Sequence, residues 1–403
     1  MYQCHLCGKK LVSIISLGQQ PLANRLLNSP DQIDDIWYDA TWSWCDDCKL
    51  LMLVDPPSPD IVFESNYPYL TGQSKFMNEH FEKTAHTLYH QYNLDSAKVI
   101  EIGCNDGGMI QYLAPVYDIL GFEPASACWP ILEAKGIPHR RMKFDARSAR
   151  ETAEAWGKAN LVYCANTLRS LKDLRGFFMA VLEMLYDDGV FVIEDPYIVD
   201  IVNRNEFDQF YSEYVYGFTI TSMQNIARMF GMEVIDIDPL PDNHGGSLRW
   251  HMARVGKRPI STNVEALKVA NSEFALKDKL NRFQQMIDDI STMFVDELVH
   301  LRDTDKKVVG YGATAKSVTL LNYANIDSEL LPVIYDTTPT KVGKYLPGVH
   351  VPIRDAKEFS DVPKGCIVIL FPYNLKREIF DREKGRRWLL YFPSVHYEES
   401  DAA

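Results

Sequence analysis

No stretch of this 403-residue chain stays apolar for the roughly 20 residues that cross a bilayer. The opening MYQCHLCGKK lacks the charged-then-apolar pattern of an export signal. Positive charge is scarce: 42 Lys and Arg against 55 Asp and Glu leave a formal net charge of −13 and a sequence pI of about 5.3. An acidic surface repels phosphate backbones, which argues against nonspecific nucleic-acid binding. An anionic small substrate stays compatible where basic residues gather locally. The chain has no repeat of solenoid period and no low-complexity tract. Together with 46% hydrophobic and 24% charged residues, these absences describe a soluble, cytoplasmic, globular protein of two or three domains.

Cysteine is thin outside the first fifty residues, where Cys4-x-x-Cys7 and Cys45-x-x-Cys48 form two pairs. Cys104, Cys128, Cys164 and Cys366 are scattered. In a chain without an export signal, paired thiols point to metal or redox chemistry before disulfides. Two residues between thiolates let both sulfurs reach one tetrahedral ion, so the four cysteines predict a structural Zn²⁺ site. A shell of four thiolates leaves no open position for a catalytic water. The ion is then expected to hold together a small module, residues 1–65, that looks poor in core. His5 reads as a bystander.

Downstream, strands and helices alternate. AKVIEIG, YDILGFEP, ANLVYCAN and GVFVIED read as buried strands, and GMIQYLAPV and LRGFFMAVLEMLY as helices. This spacing predicts a doubly wound parallel sheet over residues 66–260. SLRWHMAR is expected to add an antiparallel strand at its end. Leu276, Leu280, Phe283, Ile287, Ile290, Phe294, Leu298 and Leu301 step by three and four, which predicts one long helix over 262–302. A smaller α/β unit follows, so residues 261–403 form a third domain.

VIEIGCNDGG follows a strand and would open a helix. Its Glu101, Gly103, Asn105, Asp106 and Gly107 differ from a dinucleotide fingerprint, which reads G-x-G-x-x-G. Two acidic residues in the first turn would repel a pyrophosphate but suit a cationic amino-acid ligand. Glu123, 22 residues after Glu101, can accept both hydroxyls of a ribose. Asp145 stands where an adenine amino group could donate to it, or where a helix needs a cap. Asn166, at the end of ANLVYCAN, completes the cofactor set. This constellation resembles the class I S-adenosylmethionine (AdoMet)-dependent methyltransferases. The resemblance implies sulfonium and amino-acid contacts near Gly103 to Gly107, ribose at Glu123 and adenine near Asp145.

The order of the whole chain sharpens it. A CxxC…CxxC module, an AdoMet domain, HGGSLR, a long helix, VVGYGATAKSVTLLNY and KYLPGVHVPI together resemble the sugar C-methyltransferases that act on nucleotide-linked keto-deoxysugars. In that family the third domain helps hold the nucleotide sugar. The resemblance therefore implies substrate contacts at Lys316 in GYGATAK, with Lys341 and Asn374, and at one of Tyr67 and Tyr69; Arg249, on the strand after the His244-Gly-Gly loop, is a further candidate from its place at a sheet end. The family signature Tyr-His-Glu-His becomes Tyr211-Ser212-Glu213-Tyr214 here, and CANTLRSL offers Arg169 and Ser170 where the family has another histidine. The expected neutral-pH base is missing. Tyr214 beside a cation such as Arg169, Glu213 and His244 are the remaining candidates, with Tyr211 as the family-matched partner. The departures keep O-, N- or C-methylation of another small metabolite open, and a non-catalytic ligand-binding relative is the third reading. Three domains in one chain favour a monomer.

Overall fold

The computed structural model describes residues 2–33, 36–62, 70–113, 118–243, 245–270 and 273–401; Tyr67, Tyr69 and His244 lie outside them. Three strands begin the chain: β1 (Val12–Pro21), β2 (Trp37–Cys45) and β3 (Leu50–Leu53), in an antiparallel meander. The central strand β2 alternates, so Tyr38, Ala40, Trp42 and Trp44 share one face with Ile15, Leu17 and Leu51, and all of these are buried. The expectation of a core-poor module is corrected by this packing. Aromatic β2 supplies a core that runs on into the neighbouring domain.

The second sheet contains β4 (Lys98–Ile102), β5 (Asp118–Phe122), β6 (His139–Arg140), β7 (Ala159–Ala165) and β8 (Leu185–Pro196), all parallel. The two-residue β9 (Tyr216–Gly217) leaves this domain and pairs with β3 as the fourth strand of the N-terminal sheet. β10 (Met232–Leu240) and β11 (Ser247–Arg254) complete the larger sheet in the order β10-β11-β8-β7-β4-β5-β6. β11 is antiparallel as expected, but it lies one strand inside the edge, between β8 and β10. Edge strand β10 carries Pro239, tolerated there because an edge needs only one ladder of hydrogen bonds. The helix expected after VIEIGCNDGG is a single 3-10 turn, Ile110–Tyr112.

The long helix is two helices, Asn263–Ala270 and Leu276–Asp303, with a 3-10 turn Glu273–Ala275 before the second. Glu273 has another task. Its carboxylate accepts from the Tyr197 hydroxyl (2.7 Å), the Thr221 N–H (3.1 Å) and the Ile220 N–H, at the start of the helix Ile220–Met229. A carboxylate is favoured against those unpaired N–H groups. All eight predicted apolar positions of Leu276–Asp303 are buried. The third sheet then forms from β12 (Val308–Tyr311), β13 (Ile334–Asp336), β14 (Ile353–Asp355), β15 (Ile367–Leu370), β16 (Arg387–Leu390) and β17 (His396–Glu399), in the order β14-β13-β12-β15-β16-β17. Its first five members are parallel and β17 is antiparallel.

Candidate active site and metal centre

The four N-terminal cysteines converge. Their Sγ atoms all lie within 4.8 Å of one another, with Cys4 to Cys48 at 3.8 Å and Cys7 to Cys45 at 3.6 Å. Four sulfurs about 2.3 Å from a tetrahedral Zn²⁺ stand about 3.8 Å apart, so the pocket fits that ion. The Cys48 N–H points at Cys45 Sγ (3.4 Å), and Gly8 turns the first pair with φ of +71°. His5 is a bystander to the metal: Nδ1 meets the Tyr216 hydroxyl on β9 at 3.1 Å.

The cofactor loop lies between β4 and the 3-10 turn. Glu101 is fully enclosed, and its carboxylate accepts from the N–H groups of Met109 (3.2 Å) and Ile110 (2.7 Å). It shapes the loop from beneath. Gly108, at φ +33°, passes so close that a Cβ there would sit 2.4 Å from Glu101 Oε1. Gly103, at φ +69°, would meet Thr167 Oγ1 at 2.5 Å. Asn105 (φ +51°) donates its N–H to Glu123 (2.8 Å), whose other oxygen accepts from Ala125 (2.7 Å). Glu123 stands at the end of β5 with lone pairs remaining for a diol. Gly107 has φ +126° and Asn166, beyond β7, has φ +52° with its N–H on Glu194 O (2.7 Å). Asp106 accepts from Gly72 N–H (2.9 Å), and Asn105 Oδ1 accepts from Thr71 N–H (3.0 Å). The segment Thr71–Gln73 therefore closes over the loop, a neighbour that sequence reasoning missed. Asp145 is a helix cap, accepting from Ser148 N–H (2.8 Å) in a reciprocal capping box.

Burial is the largest influence on Glu101 and pushes it up to about 8, with the charges of Glu194 and Glu123 adding to it. Burial also raises Glu123. A cation bound beside these carboxyls favours their ionised forms. AdoMet uptake at neutral pH is therefore expected to release protons, and affinity to rise as pH climbs through about 8. Calorimetry in buffers of different ionisation enthalpy checks this: a buffer-independent heat at pH 7 would contradict it.

Beyond the ends of β7 and β8, Tyr211, Glu213 and Tyr214 gather with Arg169. The Tyr211 hydroxyl donates to that of Tyr214 (2.6 Å), and the Arg169 guanidinium lies 3.2 Å from the Tyr214 ring centroid. Burial raises Tyr214, while Arg169 draws it down. Glu213 accepts from the Asn24 side-chain amide, and the Ser212 hydroxyl accepts from Ala23 N–H (3.3 Å). Ser212 thus packs against the N-terminal module, where the family histidine would stand.

From the third domain, Lys316 Nζ sits 3.9 Å from the Tyr373 ring centroid and 3.4 Å from Asn374 Oδ1. Lys316 opens the helix Ala315–Tyr323 and faces the charges of Asp208, Glu206 and Arg169 across the domain boundary. Glu206 and Asp208 were not singled out in the sequence; both are buried, and burial raises each, Glu206 to about 7. Asp208 accepts from the hydroxyls of Tyr373 (2.8 Å) and Tyr391 (2.7 Å). Lys341 braces the GYGATAK turn, with Nζ on Ala313 O (2.8 Å) and 3.7 Å from Asp336. Arg249 requires a correction: it is not a substrate contact. It is buried on the other face of β8, bonded to Glu194 (2.6 Å), Thr84 (2.6 Å) and Asp238 (3.2 Å). His80 reaches the same Glu194 at 2.6 Å. Strand parity decides this, because Glu194 and Asp195 necessarily face opposite ways.

Comparison with known proteins follows the three sheets. Residues 4–63 match the family described as "Putative zinc binding domain", 75–237 a "Methyltransferase domain", and 242–393 a "C-methyltransferase C-terminal domain". The C-methyltransferase NovU of Streptomyces niveus is 27% identical over 406 residues, covering 97% of this chain and 95% of that protein. Among solved structures, magnesium protoporphyrin IX methyltransferase from Synechocystis PCC 6803 is 11% identical over 44% of this chain and 82% of that one, with a TM-score of 0.34. An S-adenosylmethionine-dependent methyltransferase from Clostridium acetobutylicum is 11% identical over 44% of this chain and 92% of that one, with a TM-score of 0.35. With three matched modules in unbroken order and a similar C-methyltransferase along nearly its full length, the chain is an AdoMet-dependent methyltransferase.

Proposed function

We propose that the protein transfers a methyl group from AdoMet to a carbon beside a ketone in a nucleotide-linked deoxysugar. The observation that carries this reading is that Arg169 with the Tyr211–Tyr214 pair, and Lys316 with Tyr373 and Asn374 of the third domain, lie close enough for Lys316 to feel the charge of Arg169. One cation from each domain suits an acceptor that carries both a carbonyl oxygen and an anionic handle. Lys316, at a helix start, suits phosphate oxygens, and the Tyr373 ring offers a flat apolar wall. Glu101, Glu123 and the loop Gly103 to Gly107 would hold the cofactor, which would supply an electrophilic methyl on a positive sulfur. At the acceptor, a C–H bond beside the carbonyl breaks and its proton passes to a base, with Tyr214 and Glu213 the described candidates. The electron pair moves onto the carbonyl oxygen and returns through carbon to form the new C–C bond, and the pair of the broken C–S bond stays on sulfur. The chain's task in this sequence is alignment and charge stabilisation.

A second reading, methylation of oxygen or nitrogen, is favoured by Ser212 and Tyr214, which replace the family histidines. Such a transfer needs less from a base. Incubation with labelled AdoMet and a panel of TDP-, GDP- and CDP-linked keto-deoxysugars tests both. Label on a carbon of one of them is the expected result. Label on a sugar oxygen would replace the first reading with the second, and no transfer to any member would remove the nucleotide sugar as acceptor. The acceptor enters and leaves as a small molecule, and a single chain supplies every residue invoked, so we propose a monomer working in the cytoplasm.

A further inference from the structure

Two opposite charges lie buried beside the tyrosine pair with unfilled hydrogen-bonding capacity. Asp195, last but one in β8, is 0% exposed, and neither carboxylate oxygen has a hydrogen-bond partner among the described residues. Arg169, just beyond β7, is 5% exposed, and its Nε and Nη1 have none either. Neither has an ion-pair partner within 4 Å among the described residues, yet each is close enough to feel the other's charge. The backbone N–H groups of Arg169 and Leu168 are also directed toward the Asp195 carboxylate and favour its ionised form. Burying either charge alone is costly. Buried donors left unpaired in a folded enzyme call for an explanation, and a developing negative oxygen on a substrate would supply one.

We infer that Arg169 offers its free N–H groups to the carbonyl oxygen of the acceptor and that Asp195 is its positioning residue, a buried counter-charge that fixes the guanidinium over Tyr214. This rests on the carbon-methylation reading for the identity of the oxygen, but the Arg169–Asp195 coupling stands apart from it. No bond is made or broken at either residue. The guanidinium keeps its proton, and its work is to stabilise charge on oxygen while the base takes the proton from carbon. Arg169 thereby stands at the position where the family histidine is absent.

Four groups face Asp195: Arg169 favours its ionised form, Glu194 opposes it, and Cys164 and Tyr214 feel its charge. Burial is the largest influence and pushes Asp195 up to about 7. Only the ionised form balances Arg169, so activity is expected to rise as pH climbs through about 7. Asp195→Asn should lower kcat about 10²-fold, with the KM for AdoMet within about twofold of wild type. The rise through neutral pH should vanish in Asp195→Asn and return in Asp195→Glu. In an Arg169→Gln background, Asp195→Asn should add little further loss. Independent, multiplying losses, or an unchanged pH profile, would overturn the inference. A readout free of any acceptor is the carbon-detected NMR titration of the Asp195 carboxyl in wild type and in Arg169→Gln. Loss of the guanidinium should move that titration upward in pH. An unmoved titration overturns the pairing whatever the acceptor is, whereas a moved titration with no C-methylated product rejects the acceptor reading alone.

Discussion

Removing the metal, by chelation or by Cys45→Ser, is expected to abolish methyl transfer although the ion touches no substrate. Structural Zn²⁺ contributes roughly 10–16 kcal/mol of apparent binding free energy at neutral pH, more than a typical domain's whole stability. Without a cation, four thiols within 4.8 Å cannot share their shell as thiolates, and the knuckles separate. Local unfolding of a tail would be harmless in itself. Here the loss spreads, because β9 is the fourth strand of that sheet and begins two residues after Tyr214. Leu53 donates its N–H to Val215 O (2.8 Å), and His5 meets Tyr216. Freeing the module therefore frees the segment that holds the tyrosine pair. Metal analysis should give one Zn²⁺ per chain. Cys45→Ser should lose it together with the fluorescence of buried Trp42 and Trp44, and with turnover. Full activity in a metal-free protein would refute the dependence.

Arg249→Leu is expected to destabilise the protein by about 3–5 kcal/mol and to reverse the sign of its acid response, because Glu194 would remain buried without its cation. Burial pushes Glu194 upward, but Arg249 and the His80 ring outweigh it and hold the carboxyl at about 2. A depressed carboxyl contributes stability that is present above its unfolded value of 4.5 and lost as pH falls toward about 2. In Arg249→Leu the burial effect dominates. Glu194 then holds its proton more tightly folded than unfolded, and stability falls as pH rises through the range above 4.5. Urea titrations at pH 5 and pH 8 separate the cases: wild type should change little from this group, while the variant should be markedly weaker at pH 8. Equal losses at both values would show that Glu194 does not depend on Arg249.

Arg249 also shows where sequence reading fails. A strand beginning after HGGS and carrying one arginine looks the same whether the arginine faces ligand or core, since parity relative to β8 is not written locally. The long apolar stripe of Leu276–Asp303 and the glycine loop were readable because periodicity and forced backbone geometry are local properties. The break at Glu273 was not, because its cause is a helix start fifty residues earlier. The N-terminal core was underestimated for the same reason: β2 looks polar and turn-rich until β1, β3 and β9 flank it. Asp195 and Glu206 were passed over among 55 acidic residues, with no local mark of their burial. For Asp195 the one available signal was the EDP that ends the apolar run of β8.

Residues Asn205 to Phe218 hold one further consequence. Asp208 receives two hydroxyls from the C-terminal unit, Ser212 and Glu213 receive donors from Ala23 and Asn24, Val215 donates to Arg169 O, and Tyr216 meets His5. Fourteen consecutive residues are thus the common axle of all three units. A chimera that exchanges the C-terminal unit to change the acceptor would have to carry Tyr373 and Tyr391 with it, or re-match Asp208. A substitution at Asp208 is therefore expected to reach Tyr211 and Tyr214 through the same stretch of backbone.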